Sequence, residues 1–262
     1  MLVRTWNLFN GNAVPPGRRA YLDEMVARAA VDDPDVLCLQ EVPAWALGRF
    51  TASTLACRPS LGPLPIPAGL GRLLTDVHHG LLRSAFAGQG NAIRLAARHE
   101  LLARDELVLN PRAFRERVAR ELGLSRLARL AWGHERRTAH TVRFRAADGR
   151  TFLVANAHCT SFAADRRLAD AELRRAASFA RSAAAAGDVV VLAGDFNVTR
   201  DESATLAQLA TGEWRFSPPG PGIDQVLVHG AAAGEPQRLP DGWRRHGDVL
   251  LSDHAPVQVE IE

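Results

Sequence analysis

Five short stretches of this chain set Asn, Gln, Asp, Glu or His at the ends of apolar runs: Trp6-Asn7, Gln40-Glu41, Asn156-Ala157-His158, Gly194-Asp195-Phe196-Asn197 and Ser252-Asp253-His254. These are side-chain types of proton transfer and ion binding. Polar groups that follow buried strands must find partners, water or an ion. Strand ends along one edge of a sheet are also where α/β proteins build their sites. Taken singly, each stretch has a structural explanation: Asn7 as a turn cap, Glu41 as a surface carboxylate, His158 as a satisfied core imidazole. Gly-Asp-Phe-Asn after a buried run, and Ser-Asp-His before Ala-Pro, are harder to explain that way. All five together, in one chain, point to an active site.

The elements that would carry these residues can be read from periodicity. Residues 2–9 read as a strand, and Val36–Leu39 and Val189–Ala193 as continuous apolar strands buried on both faces. Further strands are expected at 91–96, 138–145, 151–158, 223–228 and 256–261. Asp148-Gly149 gives a hairpin between the second and third of these ranges. Apolar groups at helical spacing predict helices over 18–31, 43–55, 69–85 and 163–186, the last stopped by Gly187. A charge-laced helix or helix pair covers 111–130, broken near Gly123. Residues 58–72, rich in Pro and Gly, read as a loop. Strands and helices alternate around a central hairpin. This predicts an α/β protein with a mixed sheet or two sheets rather than a barrel of parallel units. No internal repeat is visible.

Composition sets the outer limits. The chain has 262 residues, 47% of them hydrophobic and 23% charged, ordinary for a globular enzyme. Its net charge is only +3, so steering toward a nucleic acid would need a local patch. All 32 basic side chains are Arg, which suits phosphate recognition and equally reflects a GC-rich genome. Cys38, Cys57 and Cys159 have no disulfide or zinc spacing and fit a reducing compartment. Arg4 and Asn7 interrupt any secretory leader, and no apolar run approaches a membrane span. A cytoplasmic protein is expected.

The order of the motifs resembles the endonuclease/exonuclease/phosphatase superfamily. The matching pieces are Thr5-Trp6-Asn7, Asp35 through Gln40-Glu41, Asn91-Ala92-Ile93, Asn156-Ala157-His158, Gly194-Asp195-Phe196-Asn197, Ile223-Asp224-Gln225-Val226 and Ser252-Asp253-His254. The resemblance implies a single domain over 1–262, folded as a four-layer α-β-β-α sandwich with two packed mixed β-sheets. It implies a phosphodiesterase that attacks phosphorus in line with an activated water, with Mg²⁺ (or Mn²⁺) as cofactor. Glu41 would be the principal metal ligand, Asn7 a neutral oxygen beside it, and Asp253 would complete or orient the shell. Asp195 would orient or deprotonate the water, with Asn197 fixing that geometry or touching phosphate. His254 would contact the scissile phosphate as acid or base, with Asp224 as its carboxylate partner. His158 matches a second active-site histidine of the deoxyribonuclease and sphingomyelinase branches.

Other positions are less defined by the motif. Asn91 is expected to reach the substrate, and Arg137, with Arg136, to contact phosphate. His78-His79 are adjacent on a helix and so do not form a metal pair. Phe162 and Trp214 are core residues or aromatic contacts for a base or a lipid. His158 stands where abasic-site endonucleases tend to carry Tyr, and Pro221-Gly222-Ile223 lacks their Trp and Arg. The nuclease branch near deoxyribonuclease is therefore expected, with a nucleic-acid phosphodiester as substrate. The alternatives are a phosphatase or sphingomyelinase-like hydrolase and a catalytically silent scaffold.

Overall fold

A computed structural model describes residues 1–50, 73 and 88–262. The loop expected over 58–72, most of the helix expected over 69–85, Cys57, the His78-His79 pair and the end of the 43–55 helix lie outside the described residues. In chain order the strands are β1 Leu2–Asn7, β2 Ala13–Val14, β3 Val36–Pro43, β4 Gln89–Leu95, β5 Glu100–Val108, β6 Thr138–Arg145 and β7 Thr151–His158. They continue with β8 Val189–Asp195, β9 Asp224–His229, β10 Gln237–Arg238, β11 Arg245–His246, β12 Val249–Leu251 and β13 Val257–Glu260. The helices are α1 Leu22–Ala29, α2 Arg112–Glu121, α3 Arg126–His134, α4 Arg167–Ala183 and α5 Ala204–Leu209.

Two five-stranded sheets form the centre, ordered β10-β13-β1-β3-β4 and β5-β6-β7-β8-β9. Each holds one parallel pair flanked by antiparallel neighbours, β1 with β3 in the first and β7 with β8 in the second. Helix α1 makes the first crossover and α4 the second. Helix α1 buries Leu22, Met25 and Ala29 at helical spacing, with Asp23 and Glu24 in the first turn where the helix dipole favours them. Helix α4 buries a stripe of small residues, Ala169, Ala176, Ala177 and Ala180, which brings its backbone close to the sheet.

Three apolar layers separate the four structural ones. Trp6, Leu22, Met25, Leu37 and Leu39 fill the space between α1 and the first sheet. Val3, Val36, Cys38, Ile93, Val154, Val191 and Val226 lie between the sheets. Leu153, Ala155, Leu173, Leu192 and Leu206 pack the second sheet onto α4 and α5. The expected α-β-β-α sandwich is therefore the observed one.

Alternation along the strands then dictates the site. Val3 faces the gap between the sheets, so Asn7 faces it too. The same parity carries Cys38 to Gln40, Ile93 to Asn91, Val154 to Asn156 and His158, Val191 to Asp195, and Val226 to Asp224. The interior between the sheets is thus apolar along most of its length and polar at one end. Glu41 is out of phase with that face. A register shift between Leu39 and Val42, with Glu41 at φ +49°, turns its carboxylate into the gap, as bulges beside sites do. Asn156 binds the strands there: its amide donates to the Leu39 and Ala92 carbonyls, each at 3.0 Å, and its oxygen accepts from Gln40 Nε2 at 2.8 Å.

Several expectations need correction. Strand β1 ends at Asn7, because a 3-10 turn begins at Phe9. The helix expected over 18–31 is shortened to Leu22–Ala29, and that over 163–186 starts at Arg167. Over 43–55, the described part is a 3-10 turn, Ala44–Arg49. Strand β5 was not expected: it is a largely exposed edge strand whose side chains carry no apolar face. Ser252-Asp253-His254 follows an apolar strand as expected, but that strand, β12, belongs to a small third sheet with β11 and β2.

Asn156→Ala should remove the side-chain donors to the buried Leu39 and Ala92 carbonyls and the link to Gln40, and cost about 3 kcal/mol. Urea denaturation should show a lowered midpoint with an unchanged slope. An unchanged midpoint would mean that Asn156 does not hold the sheets together.

Candidate active site

The ends of the two parallel pairs meet. The first sheet brings Asn7 and Glu41, the second His158 and Asp195. Asn7 Nδ2 donates to Asp195 Oδ2 at 2.9 Å and approaches Glu41 Oε1 at 3.3 Å, while Asn7 Oδ1 accepts from the Phe9 amide at 2.9 Å. Asn10 donates to the other Glu41 oxygen at 2.7 Å. His158 Nε2 lies 3.6 Å from Asp195 Oδ2 and 3.9 Å from Glu41 Oε1. Asp195 Oδ1 accepts the Asn197 backbone amide at 3.0 Å.

Local sequence explains this turn. Gly194 has φ +138°, and a Cβ there would land on the Ala157 carbonyl, so only glycine lets β8 run this close to β7. Asn197 sits at φ +53°, a left-handed position that Asn tolerates. Its side-chain amide donates to the Cys159 carbonyl at 2.9 Å, tying the exit of β8 to the exit of β7.

His254 enters from the loop and Asp224 from β9. Asp224 Oδ2 lies 2.8 Å from His254 Nδ1, which fixes the ring and turns Nε2 toward Asp195 Oδ2, 3.8 Å away. The loop is clasped from three sides. Ser252 Oγ donates to the Asn7 carbonyl at 2.7 Å and accepts the His254 amide at 3.0 Å. Trp6 Nε1 donates to the His254 carbonyl at 2.9 Å. The buried Arg244 donates to the Ser252 carbonyl at 2.5 Å and pairs with Asp241 at 2.7 Å.

The electrostatics divide the two histidines. Burial lowers His254, but the hydrogen bond and charge of Asp224, with Asp195 and Asp253 adding to them, push it up to about 10. Burial, then the charges of Arg137 and His254, hold His158 well below the ordinary imidazole value. His158 is thus neutral, and its short distances to Glu41 and Asp195 are not ion pairs. Arg137 Nη1 lies 3.0 and 3.1 Å from the two His158 ring nitrogens, an approach that a neutral ring accepts and an imidazolium would repel. Burial and then the charge of Asp224 push Asp195 up to about 7, against the pull of His254 and Asn7. Burial raises Glu41, against the Asn7 hydrogen bond and the Arg137 charge.

This donor set fits a hard divalent cation. Two carboxylates, Glu41 and Asp195, converge in a desolvated place, and among the described residues no guanidinium hydrogen-bonds to either. Such a pair is costly until a cation neutralises it. Asp195, Asp224 and His254 also each offer a ligand atom within 4.8 Å of the others.

The model of the endonuclease/exonuclease/phosphatase family matches residues 5–254. The chain belongs to this family. Members are hydrolases of phosphoester bonds, and the fold is of the phosphodiesterase and phosphatase type. Among curated proteins, none matches the chain by sequence. Solved structures of the same fold include D. rerio TDP2 complexed with a single-strand DNA product, with TM-score 0.61 and 14% identity over 100% of this chain and 98% of that one. The human Nocturnin catalytic domain with bound sulfate has TM-score 0.63 and 16% identity over 100% and 93%. A Bacteroides thetaiotaomicron mannosyl-6-phosphatase has TM-score 0.59 and 14% identity over 100% and 99%.

Within this family fold, the positions expected from sequence fall in two groups. Asn7, Glu41, His158, Asp195, Asn197, Asp224 and His254 come together. Asp253 is at the rim, about half exposed, with Oδ1 3.9 Å from His254 Nε2. Asn91 and Arg137 border the same cleft beside His158. Asn91 donates to the Thr138 carbonyl at 3.1 Å, and Arg137 pairs with Glu135 at 2.5 Å. Arg136 is exposed. Phe162 and Trp214 pack against core clusters.

Sequence reasoning overlooked Asn10, Arg244 and Glu172. Glu172, on α4, is wholly buried. Its carboxylate accepts from Trp132 Nε1 at 2.6 Å and from the Thr160 amide and hydroxyl at 2.6 and 2.8 Å. It therefore fixes the chain two residues beyond His158 and joins it to α3. Burial pushes Glu172 up to about 7, opposed by the Arg137 charge and these hydrogen bonds. A carboxyl raised on folding contributes stability below its unfolded pKa and loses it as pH rises through the folded one. The stability of the wild type relative to Glu172→Gln should therefore fall between about pH 4.5 and 7, by on the order of 3 kcal/mol. Denaturant titrations of both proteins across this range would check it, and a constant difference would refute it.

Proposed function

We propose that this chain is a divalent-metal-dependent phosphodiesterase that hydrolyses a P–O bond by in-line attack of water, and that it acts as a nuclease. The observation that carries the reading is the convergence of Asn7, Glu41, His158, Asp195, Asp224 and His254 at one end of the gap between two sheets. Glu41 would hold Mg²⁺ or Mn²⁺, with Asp253 at the edge of that shell; Asn7 turns Nδ2, which cannot ligate, toward Glu41, so its oxygen would join the shell only with the amide reversed. When bound, the cation supplies positive charge against the charge that builds on the phosphoryl oxygens during attack.

The chain's own residues account for the rest. Asp195 is placed to orient the water and take its proton, since a carboxyl near neutral pKa can accept one at the working pH. The Asn197 backbone amide and the Asn7 side chain hold that carboxylate by its two oxygens. His254, held at Nδ1 by Asp224, presents a protonated Nε2 to the phosphate. The neutral His158 and the Arg137 guanidinium behind it approach the phosphate from the other sheet. The nuclease reading draws support from His158 and Arg137 beside the site and from fold similarity to a protein crystallised with a single-strand DNA product. The similarity to a sugar phosphatase supports the alternative of a small phosphate substrate.

His254→Ala should lower kcat by about 10²–10⁴-fold, and Asp224→Asn by more than tenfold. The double variant should be no slower than His254→Ala alone, because the pair acts as one unit. Losses that multiply would show that the two act independently. Glu41→Gln should abolish Mn²⁺ binding in calorimetry while the protein stays folded. Retained Mn²⁺ affinity would remove Glu41 from the metal shell. Turnover of a phosphoinositide or sphingomyelin without cleavage of any DNA or RNA would overturn the nuclease reading alone.

A further inference from the structure

Beyond the catalytic cleft, a path lined by arginines leads away over α2 and α3. The cleft beside His158 is bounded by Asn91, Glu135, Arg136 and Arg137. Glu135 and Arg136 also line the next depression, which Arg112 and Arg115 close on its far side. Arg112 and Arg115 in turn open a third recess of about 300 Å³, where Arg120 and Arg129 join them. The three depressions are therefore contiguous from the site outward.

Glu116 lines the outer recess and Glu135 the two inner depressions, but arginines outnumber them along the path. Some arginines of the region are neutralised: Arg98 by Asp33 and Asp35, Arg112 by Glu116 and Arg117 by Glu121. Among the described residues, Arg115, Arg120 and Arg136 are in no salt bridge. The Arg115 Nε is buried without a hydrogen-bond partner. Its guanidinium occupies space that Gly133 leaves open, since a Cβ there would collide with Nη1. An unpaired cation held in a recess is costly unless an anion completes it, and guanidinium forks match phosphate.

We infer that this recess is a second anion site, which takes the phosphates of a nucleic-acid strand running on from the scissile one. The inference rests on the nuclease reading and names the part of its substrate that the catalytic cleft does not reach. A concave path continuous with the site suits a flexible single strand. A flat, protruding basic face would instead suit a membrane.

The test measures binding rather than turnover. A fluorescein-labelled single-stranded dodecamer is titrated against the full chain in EDTA at several salt concentrations. Arg115→Ala/Arg120→Ala should raise Kd at least tenfold at low salt. It should also flatten the slope of log Kd against log salt by about 1.4, roughly 0.7 for each phosphate that an arginine no longer neutralises. Turnover of bis-p-nitrophenyl phosphate in Mn²⁺ should be unchanged. Gly133→Ala, which keeps every arginine, should shift Kd in the same direction by less. An unaltered slope in the double variant, or no strand binding by the wild type, would overturn the second site. So would loss of binding to phosphatidylserine vesicles with no change in the strand slope. Cleavage of the dodecamer with the same slope in both proteins would overturn the second site and leave the nuclease reading standing. A wild type that binds with the steep slope but never cuts would do the reverse.

Discussion

The Asn7 amide nitrogen stands between two desolvated carboxylates, 3.3 Å from Glu41 Oε1 and 2.9 Å from Asp195 Oδ2. One carboxylate belongs to each sheet. The amide donates to both, and the protonated His254, 3.8 Å from Asp195, adds charge of opposite sign. The packing of the two sheets therefore brings a carboxylate from each onto one amide. Burial raises both groups above ordinary carboxylates.

The symmetry of the architecture makes the convergence automatic. In each sheet a parallel pair is flanked on both sides by antiparallel strands. Each pair ends in one amide or imidazole and one carboxylate: Asn7 with Glu41, His158 with Asp195. Ladder hydrogen bonds set the register of Asn7, His158 and Asp195, and the polar network of Gln40, Asn156 and the Leu39 and Ala92 carbonyls locks one sheet to the other just beneath them. Placement by rigid strands is more exact than placement by loops. A bulge turns Glu41 inward, and Gly194 lets β8 approach β7 closely.

Much of this was legible in the sequence, for a physical reason. Strands buried on both faces read as continuous apolar runs, so the polar residues at their ends stand out, as Glu41 does after Val36–Leu39 and Asp195 after Val189–Ala193. The family resemblance supplied the sandwich, which periodicity alone left as one sheet or two, because alternation does not say which strands pair. Strand β5 escaped notice since an exposed edge strand buries no regular face. Glu172 and Arg244 escaped because their meaning is tertiary. A Glu in an Ala- and Arg-rich helix reads as a solvated charge until Trp132 and Thr160 close over it, and Arg244 reads as one of many arginines until its carbonyl partners are known.

The site is consequently built in two ways. Its strand-borne half inherits precision from the ladders and the core between the sheets. Its histidine half does not: His254 sits on a loop and Asp224 at the first residue of a strand, so neither is held by ladder bonds on both sides. Their geometry comes from clasps instead. Ser252 ties the loop to the Asn7 carbonyl, Trp6 and Arg244 hold its carbonyls, and Gln225 fastens the turn before β9 through Gly220. The Ser252 and Trp6 clasps both return to β1, so the position of the imidazole is referenced to the same strand that carries Asn7. His254 and Asn7 are thereby held in one frame, although nearly the whole length of the chain separates them.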